Sequence, residues 1–262
     1  MTNTVLTGIA KNLADLEDTN HSCRLEAVPE GYDAYILARF AKQCRHDILY
    51  ILREDVRMAA TEAALSFFDR DLEVVTVPAW DCLPYDRVSP NAEIVAHRMT
   101  SLSRLLEPSG KPRVILTTVN AMMQRVPSRK MISGARFSAS VGSEVNIPDL
   151  TAFLVANGFS RIGTVMEPGE FAVRGGLIDI FPPGADEPVR LDFFGDQLDG
   201  IRSFDPLTQK SSGKLDHIDF TAATEFLLND AAVTRFRSGY REQFGAVTRE
   251  DPLYEAVSEK RK

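Results

Sequence analysis

The chain has 262 residues, 44% of them hydrophobic and 26% charged, which is the composition of ordinary folded domains with room for two of them. Its formal charge of -7 and pI near 5.2 disfavour a stand-alone duplex-DNA binder, because phosphate contacts need clustered Lys and Arg. No run reaches the roughly 18 apolar residues of a membrane span, the opening MTNTVLTGIAKNLADLEDTN lacks a signal-peptide pattern, and Cys23, Cys44 and Cys82 form no CxxC pair, so a membrane protein, a disulfide framework and a zinc site are disfavoured and the cytoplasm is expected.

From Arg24 to about Leu116 short apolar runs alternate with helical periodicity. Strands are expected at Arg24 to Val28, Asp47 to Leu52, Glu73 to Val77 and Arg113 to Thr117, and helices at Asp33 to Lys42, Val56 to Phe68 and Glu93 to Leu106. That order predicts a parallel α/β layer domain. Pro90 and Asn91 supply the start signal for the third helix, on which Ile94, His97, Arg98, Ser101, Leu102, Leu105 and Leu106 read as an apolar stripe with polar interruptions. Arg125 to Arg136 holds four cations and no carboxylate, but its Pro, Ser and Gly residues read as a connector rather than as a DNA-binding patch.

From Gly134 to Ala222 the pattern turns to strands: Phe137 to Val141, Ser160 to Val165, Phe171 to Phe181, Val189 to Phe194, Gln197 to Phe204 and His217 to Thr221. One helix, Pro148 to Ala156, ends at Asn157-Gly158. This is the signature of a small α+β domain with an antiparallel sheet. Gly195-Asp196 marks a hairpin turn, and Gly175-Gly176 within a strand run marks a bulge or a close backbone approach. After Thr224, Phe226, Leu227, Ala231, Val233, Phe236, Tyr240 and Phe244 return to near-helical spacing, which runs on towards Lys262.

The run VRLDFF alternates strictly, so in a strand Val189, Leu191 and Phe193 share one face while Arg190, Asp192 and Phe194 share the other. An aromatic on the charged face either awaits a partner or lies beneath a neighbouring loop or hairpin.

RGGLIDIFPPG followed by VRLDFFGDQLDGIRSFDP closely resembles the domain shared by the bacterial excision-repair protein UvrB and the transcription-repair coupling factors. PAWDCLPYDRVSPNAEIVAHRMTSLSRLL, ILTTVNAMMQRVPSR and FLVANGFSRIGTVMEPGEFAVRGG extend the resemblance over most of the chain and favour the N-terminal, UvrB-homology region of the coupling factors. The resemblance implies a P-loop-NTPase-like α/β domain in two parts, residues 1–133 and a returning, truncated segment 223–262, interrupted by a second domain, 134–222, that binds UvrA, the damage-recognising ATPase of nucleotide excision repair.

A working P-loop would read GxxxxGK[ST], because the glycines let backbone N–H groups surround phosphates that the lysine neutralises. Here the corresponding stretch is EAVPEGYD: Glu26 stands at the first glycine, Gly31 keeps the second, and Tyr32 and Asp33 replace the lysine and the hydroxyl residue. Carboxylates there would repel a polyphosphate, so the nucleotide site reads as degenerate. His21, His46, His97 and His217 are isolated, Asp81-Cys82 has no histidine nearby, and carboxylate pairs such as Asp196 and Asp199, or Asp179 and Asp192, lack substrate-positioning groups.

The resemblance assigns the UvrA contact to Arg174, Arg190 and Phe194. For Arg174 an internal ion pair with Glu167, Glu170 or Asp179 is the competing reading. The expected function is a non-catalytic recruiting module without cofactor of its own; ATP, Mg, the DNA translocase motor and the contacts with RNA polymerase and DNA are expected elsewhere in a longer parent, which can also mask the binding face. The alternatives are a divergent nucleotide-dependent, helicase-like ATPase domain, opposed by Tyr32, and a DNA-binding module using Arg125 to Arg136, opposed by net acidity.

Overall fold

A computed structural model describes residues 24–83, 88–247 and 251–260, and structural counts refer to those residues. The expectations for the opening 20 residues, His21, Cys23 and the 84–87 part of the PAWDCLPYDRV motif fall outside them. The chain divides into two compact units between Val126 and Pro127.

The first unit contains α1 (Tyr32–Ala41), β1 (Ile48–Leu52), α2 (Asp55–Phe68), β2 (Val74–Val77), α3 (Ala92–Leu106), β3 (Val114–Thr118) and the short α4 (Val119–Met123). Its three strands are all parallel in the order β1-β3-β2, which is the α/β layer the periodicity predicted. Ala34, Ala38 and Ala41 are the buried small residues of α1; they pack with Met58 and Leu65 of α2 and Val114 and Leu116 of the central strand. Small side chains on one helical face let the two helices approach closely while β-branched residues fill the sheet.

One reading of this unit needs correction. Arg24 to Val28 form no strand: residues 24–30 are exposed throughout, Ala27 has φ 52, and Arg24 pairs with Glu26 in solvent at 3.0 Å. Alternation alone does not make a strand where no neighbour accepts its ladder. On α3 the polar interruptions of the apolar stripe include buried groups. Arg98 is fully buried, donating to the Pro78 carbonyl at 2.6 Å and lying over the Trp80 ring, while Ser101 donates to the Thr76 carbonyl at 2.7 Å and His97 shares a 2.8 Å hydrogen bond with Thr76. The buried Arg98 and Ser101 survive there because each finds a partner, while His97 is exposed.

The second unit contains α5 (Arg129–Gly134), β4 (Phe137–Ser140), α6 (Ile147–Ala156), β5 (Ser160–Arg161), β6 (Glu170–Arg174), β7 (Leu177–Ile180), β8 (Val189–Phe194), β9 (Gln197–Phe204), β10 (Ser211–Leu215), β11 (His217–Phe220), α7 (Asp230–Phe244) and α8 (Pro252–Ser258). Six strands form one sheet in the order β10-β9-β8-β7-β6-β5, antiparallel except for the short β5–β6 pair, and β4 with β11 form a second, antiparallel sheet. The Asn146 side chain accepts the Asp149 N–H at the start of α6, with Pro148 in its first turn. The helix stops where Gly158 takes φ 93 and Phe159 N–H reaches back to the Leu154 carbonyl at 3.0 Å.

Leu150 and Leu154 of α6, Phe171, Ile178, Ile180, Val189, Leu191 and Phe193 of the large sheet, and Ile218 and Phe220 of β11 make one core. It covers one face of the six-stranded sheet.

Phe171 to Phe181 is not one strand. Gly175, at φ 62, turns the chain so that β6 and β7 pair as a hairpin, Arg174 opposite Leu177. The expected close approach at Gly176 is present: its carbonyl accepts the Phe193 N–H at 2.8 Å, and a Cβ there would lie 2.8 Å from the Phe193 oxygen. The strand expected at Ser160 to Val165 pairs only through Arg161, after which Val165 turns to pack with Ala172, Phe181 and Phe204. Ser211 to Leu215, too polar to read as a strand, forms the solvent-facing edge β10, and α5 lies within the stretch read as a connector.

Candidate functional site: the open face of the large sheet

Strand register decides which side chains share the uncovered face. Across the sheet, Ala172, Asp179, Arg190, Arg202 and Lys214 lie in one row, Arg174, Leu177, Asp192 and Gly200 in the next, and Phe194 with Gln197 beyond. Val189, Leu191 and Phe193 are buried on the opposite face, so the strict alternation of VRLDFF is what the fold uses. At one end of the open face, Val165, Ala172, Phe181 and Phe204 form a small apolar cap. At the other, Arg174 and Phe194 are exposed.

Phe194 is 83% exposed at the end of β8, where Gly195 at φ 65 begins the turn into β9. Just before it the pairing steps from Asp192–Gly200 to Phe193–Leu198, leaving Asp199 as an extra residue that bends the hairpin tip. The second resolution left open by the alternation, a covering loop or hairpin, does not occur.

Arg190 is held differently from Phe194. Its Nε and Nη2 donate to the two Asp179 oxygens at 2.6 and 2.9 Å, Nη1 reaches the Gln209 carbonyl at 3.5 Å, and the guanidinium lies 4.7 Å from the Phe204 ring centre. Asp179 is 2% exposed and the Arg190 side chain 17%. The hydrogen bonds it donates to Asp179 hold the guanidinium above its ordinary pKa against the opposing effect of burial. Arg190 is thus a part-buried, bidentate anchor rather than a free cation.

Arg174 donates through Nη2 to the Gly163 carbonyl at 2.7 Å and to Thr164 Oγ1 at 3.4 Å, with Nη1 3.9 Å from Asp179. Of the three carboxylates considered for it, Glu170 instead accepts the Met166 and Glu167 N–H groups, both at 2.8 Å. Its side chain remains 45% exposed, so Arg174 combines a positioned base with a reachable head. The structure therefore brings Arg174, Arg190 and Phe194 onto one face and adds two residues that the sequence did not single out: Arg202, directly opposite Arg190, and Leu177 between Arg174 and Asp192. The alternation of β9, counted back from Phe204, carries the signal for Arg202.

The P-loop counterpart lies in the first unit. Glu26 is exposed and paired with Arg24, Gly31 takes φ 78 immediately before α1, and Tyr32 stacks on Tyr35 with ring centres 5.5 Å apart. Asp33 turns its own carboxylate onto the helix start: Oδ1 accepts the Ala34 N–H at 3.0 Å, while Oδ2 accepts the Tyr50 hydroxyl at 2.9 Å and Arg57 Nη2 at 3.3 Å. Burial, with the Asp33 hydrogen bond adding to it, pushes the Tyr50 phenol up to about 12. Asp179 and Asp192 each serve an arginine, and no group of three His, Cys, Asp or Glu among the described residues could hold a metal ion.

The helix, the open-faced antiparallel sheet and the small second sheet fall within a recognised class: residues 137–226 match the UvrB interaction domain. Beyond that segment, the chain is 35% identical over 188 residues to the transcription-repair-coupling factor of Escherichia coli, covering 72% of this chain and 16% of that protein. It is 31% identical over 229 residues to that of Haemophilus influenzae, covering 87% and 20%, and 34% identical over 224 residues to that of Myxococcus xanthus, covering 83% and 19%. The chain is thus a relative of the transcription-repair coupling factors and spans about a fifth of the length of those it matches. No helix among the described residues is long and apolar enough to cross a membrane.

Proposed function

We propose that this chain is a non-catalytic recruiting module of a transcription-repair coupling factor, which binds UvrA through the open face of the six-stranded sheet and so links a stalled RNA polymerase to nucleotide excision repair. The observation that carries the reading is an 83% exposed phenylalanine, Phe194, on the same sheet face as Arg174, Arg190 and Arg202, within the segment that matches the UvrB interaction domain. Aromatic and arginine side chains dominate the energetics of protein interfaces.

On this reading the first unit is a nucleotide-binding fold without a working nucleotide site. The Asp33 carboxylate occupies the helix start that a phosphate would need, already bonded to Ala34, Tyr50 and Arg57. This speaks against a helicase-like ATPase domain. ATP hydrolysis, DNA translocation and the contacts with RNA polymerase and DNA belong to other parts of the parent, which works in the cytoplasm and masks this face until it engages.

Calorimetric titration of UvrA with the chain tests the proposal. The parent should bind, and Phe194→Ala should weaken binding by about 2 kcal/mol or more while leaving the melting temperature unchanged, since the ring has little buried area to lose. A parent that does not bind, or a folded Phe194→Ala that binds equally well, contradicts it.

A further inference from the structure

We propose that the first unit carries a second recognition site, an aromatic cavity at the start of α1 that takes an arginine side chain from a protein partner. The site is independent of the recruitment reading, which concerns the large sheet of the other unit.

The cavity, of about 470 Å³, adjoins Gly31 of the P-loop counterpart, and Pro29, Glu30, Tyr32, Phe67 and Phe68 are among the residues that line it. Its chemistry is the reverse of a phosphate site, which presents free backbone N–H groups and a lysine. Here the Tyr32 N–H is taken by the Pro29 carbonyl at 3.1 Å and the Ala34 N–H by the Asp33 carboxylate at 3.0 Å. Among the described residues, Glu30 is the one charged group on the wall.

The rings form a continuous cluster. Tyr32 and Tyr35, three positions apart on α1 and so on one helical face, stack with centres 5.5 Å apart; Tyr35 meets Phe68 edge-on at 5.4 Å, and Phe68 meets Phe67 at 5.3 Å. Phe67 and Phe68 end α2, and consecutive residues cannot share a helical face. Phe68 therefore turns towards Tyr35 at 41% exposure, while Phe67 stands out at 81% and buries little area within this unit.

Charge selects the ligand. Glu30 is exposed and has no ion-pair partner among the described residues. The nearby cations are committed elsewhere: Arg24 to Glu26 at 3.0 Å, Arg57 to Asp33 at 3.3 Å and Lys42 to Asp69 at 3.1 Å. The cavity thus has ring faces and a carboxylate but no positive charge of its own. An anion would be repelled by Glu30, and a wholly apolar ligand would strip water from that carboxylate without replacing it. A cation satisfies both features, attracted to the ring faces and paired with Glu30. Arginine fits better than lysine because its flat guanidinium stacks on an aromatic ring and donates a fork of N–H groups to a carboxylate at the same time.

The test is NMR titration of the isotope-labelled full chain with a capped tripeptide, acetyl-Gly-Arg-Gly-amide, and with the same peptide carrying citrulline, the uncharged isostere of arginine, or glutamate. The arginine peptide should shift the amide signals of Gly31, Tyr32, Phe67 and Phe68 saturably, and the citrulline peptide should bind about five-fold more weakly or worse. Glu30→Gln and Phe67→Ala change exposed side chains, so both should melt with the parent, and each should weaken the arginine peptide by about two- to five-fold. Absence of a saturable shift with the arginine peptide overturns the proposal. Equal binding of the citrulline peptide makes the cavity a purely apolar groove, and shifts at these amides from the glutamate peptide or from ATP make it an anion site; either result also overturns it. If Phe67→Ala or Glu30→Gln binds the arginine peptide as the parent does, the cage of rings and carboxylate is not the site. UvrA takes no part in this titration, so its outcome leaves the recruitment reading untouched.

Discussion

Replacing Asp179 with Asn should damage the face without touching anything a partner could reach. Asp179 is 2% exposed, and its two oxygens receive the Arg190 fork at 2.6 and 2.9 Å, with Arg174 a further contact at 3.9 Å. The amide keeps the shape and one acceptor but removes the charge and the second acceptor, leaving the guanidinium in a site of 17% exposure with one neutral side-chain acceptor, the Gln209 carbonyl and the Phe204 ring. Losing one partner of a fully buried pair costs about 3–5 kcal/mol; the remaining contacts and partial solvent access of Arg190 bring the expectation here to about 2–3 kcal/mol. With a urea slope of about 1–3 kcal/mol per molar, the unfolding midpoint should fall by about 1 M or more. Arg190→Met in the Asp179→Asn background should recover part of the loss, since removing the stranded cation removes its desolvation penalty. An Asp179→Asn midpoint indistinguishable from the parent, or a double variant as impaired as the sum of the singles, would refute the claim that this pair holds the face together.

Gly176→Ala should destabilise the second unit by about 1–3 kcal/mol, read in the same urea titration, because its Cβ would lie 2.8 Å from the Phe193 carbonyl, a backbone atom with no room to yield. Gly163→Ala, with nothing within 4 Å of the added carbon and an ordinary φ, should leave the midpoint nearly unchanged. In the first unit, the Arg113 hydrogen bonds hold Asp47 below its ordinary 3.8, so the associated stability is fully present above that value and is lost as pH falls through the lower folded value. Asp47→Asn should therefore lower the melting temperature at pH 7 but remove that part of the acid loss below about pH 4, as followed by melts across an acid series.

Some of this was readable from residue order because local rules decide it. Period-2 alternation in VRLDFF put Arg190 and Phe194 on one face, and Pro148 and Asn157-Gly158 bounded α6, because strand pleat and helix caps act over a few residues. What escaped depends on non-local partners. No spacing rule says that Arg190 would take the fork of Asp179, eleven positions away on β7, rather than leave it to a partner. Glycines at 175 and 176 suit a bulge and a hairpin equally, and only the ladder of Arg174 with Leu177 decides between them. Leu25 and Val28 looked like strand residues yet remain exposed for want of a neighbour, whereas the burial of Arg98 rests on the Pro78 carbonyl and the Trp80 ring, which no helical spacing reveals. Ser211 to Leu215 hides as a strand because an edge facing water needs no apolar alternation.

The most direct test of the central claim is competition: UvrB labelled and bound to UvrA, titrated with this chain. If the open sheet face is a UvrA-binding surface of the kind that the UvrB interaction domain provides, the parent displaces UvrB in a concentration-dependent manner and Phe194→Ala does not. UvrB that stays bound at saturating parent chain, or is displaced equally well by Phe194→Ala, contradicts it.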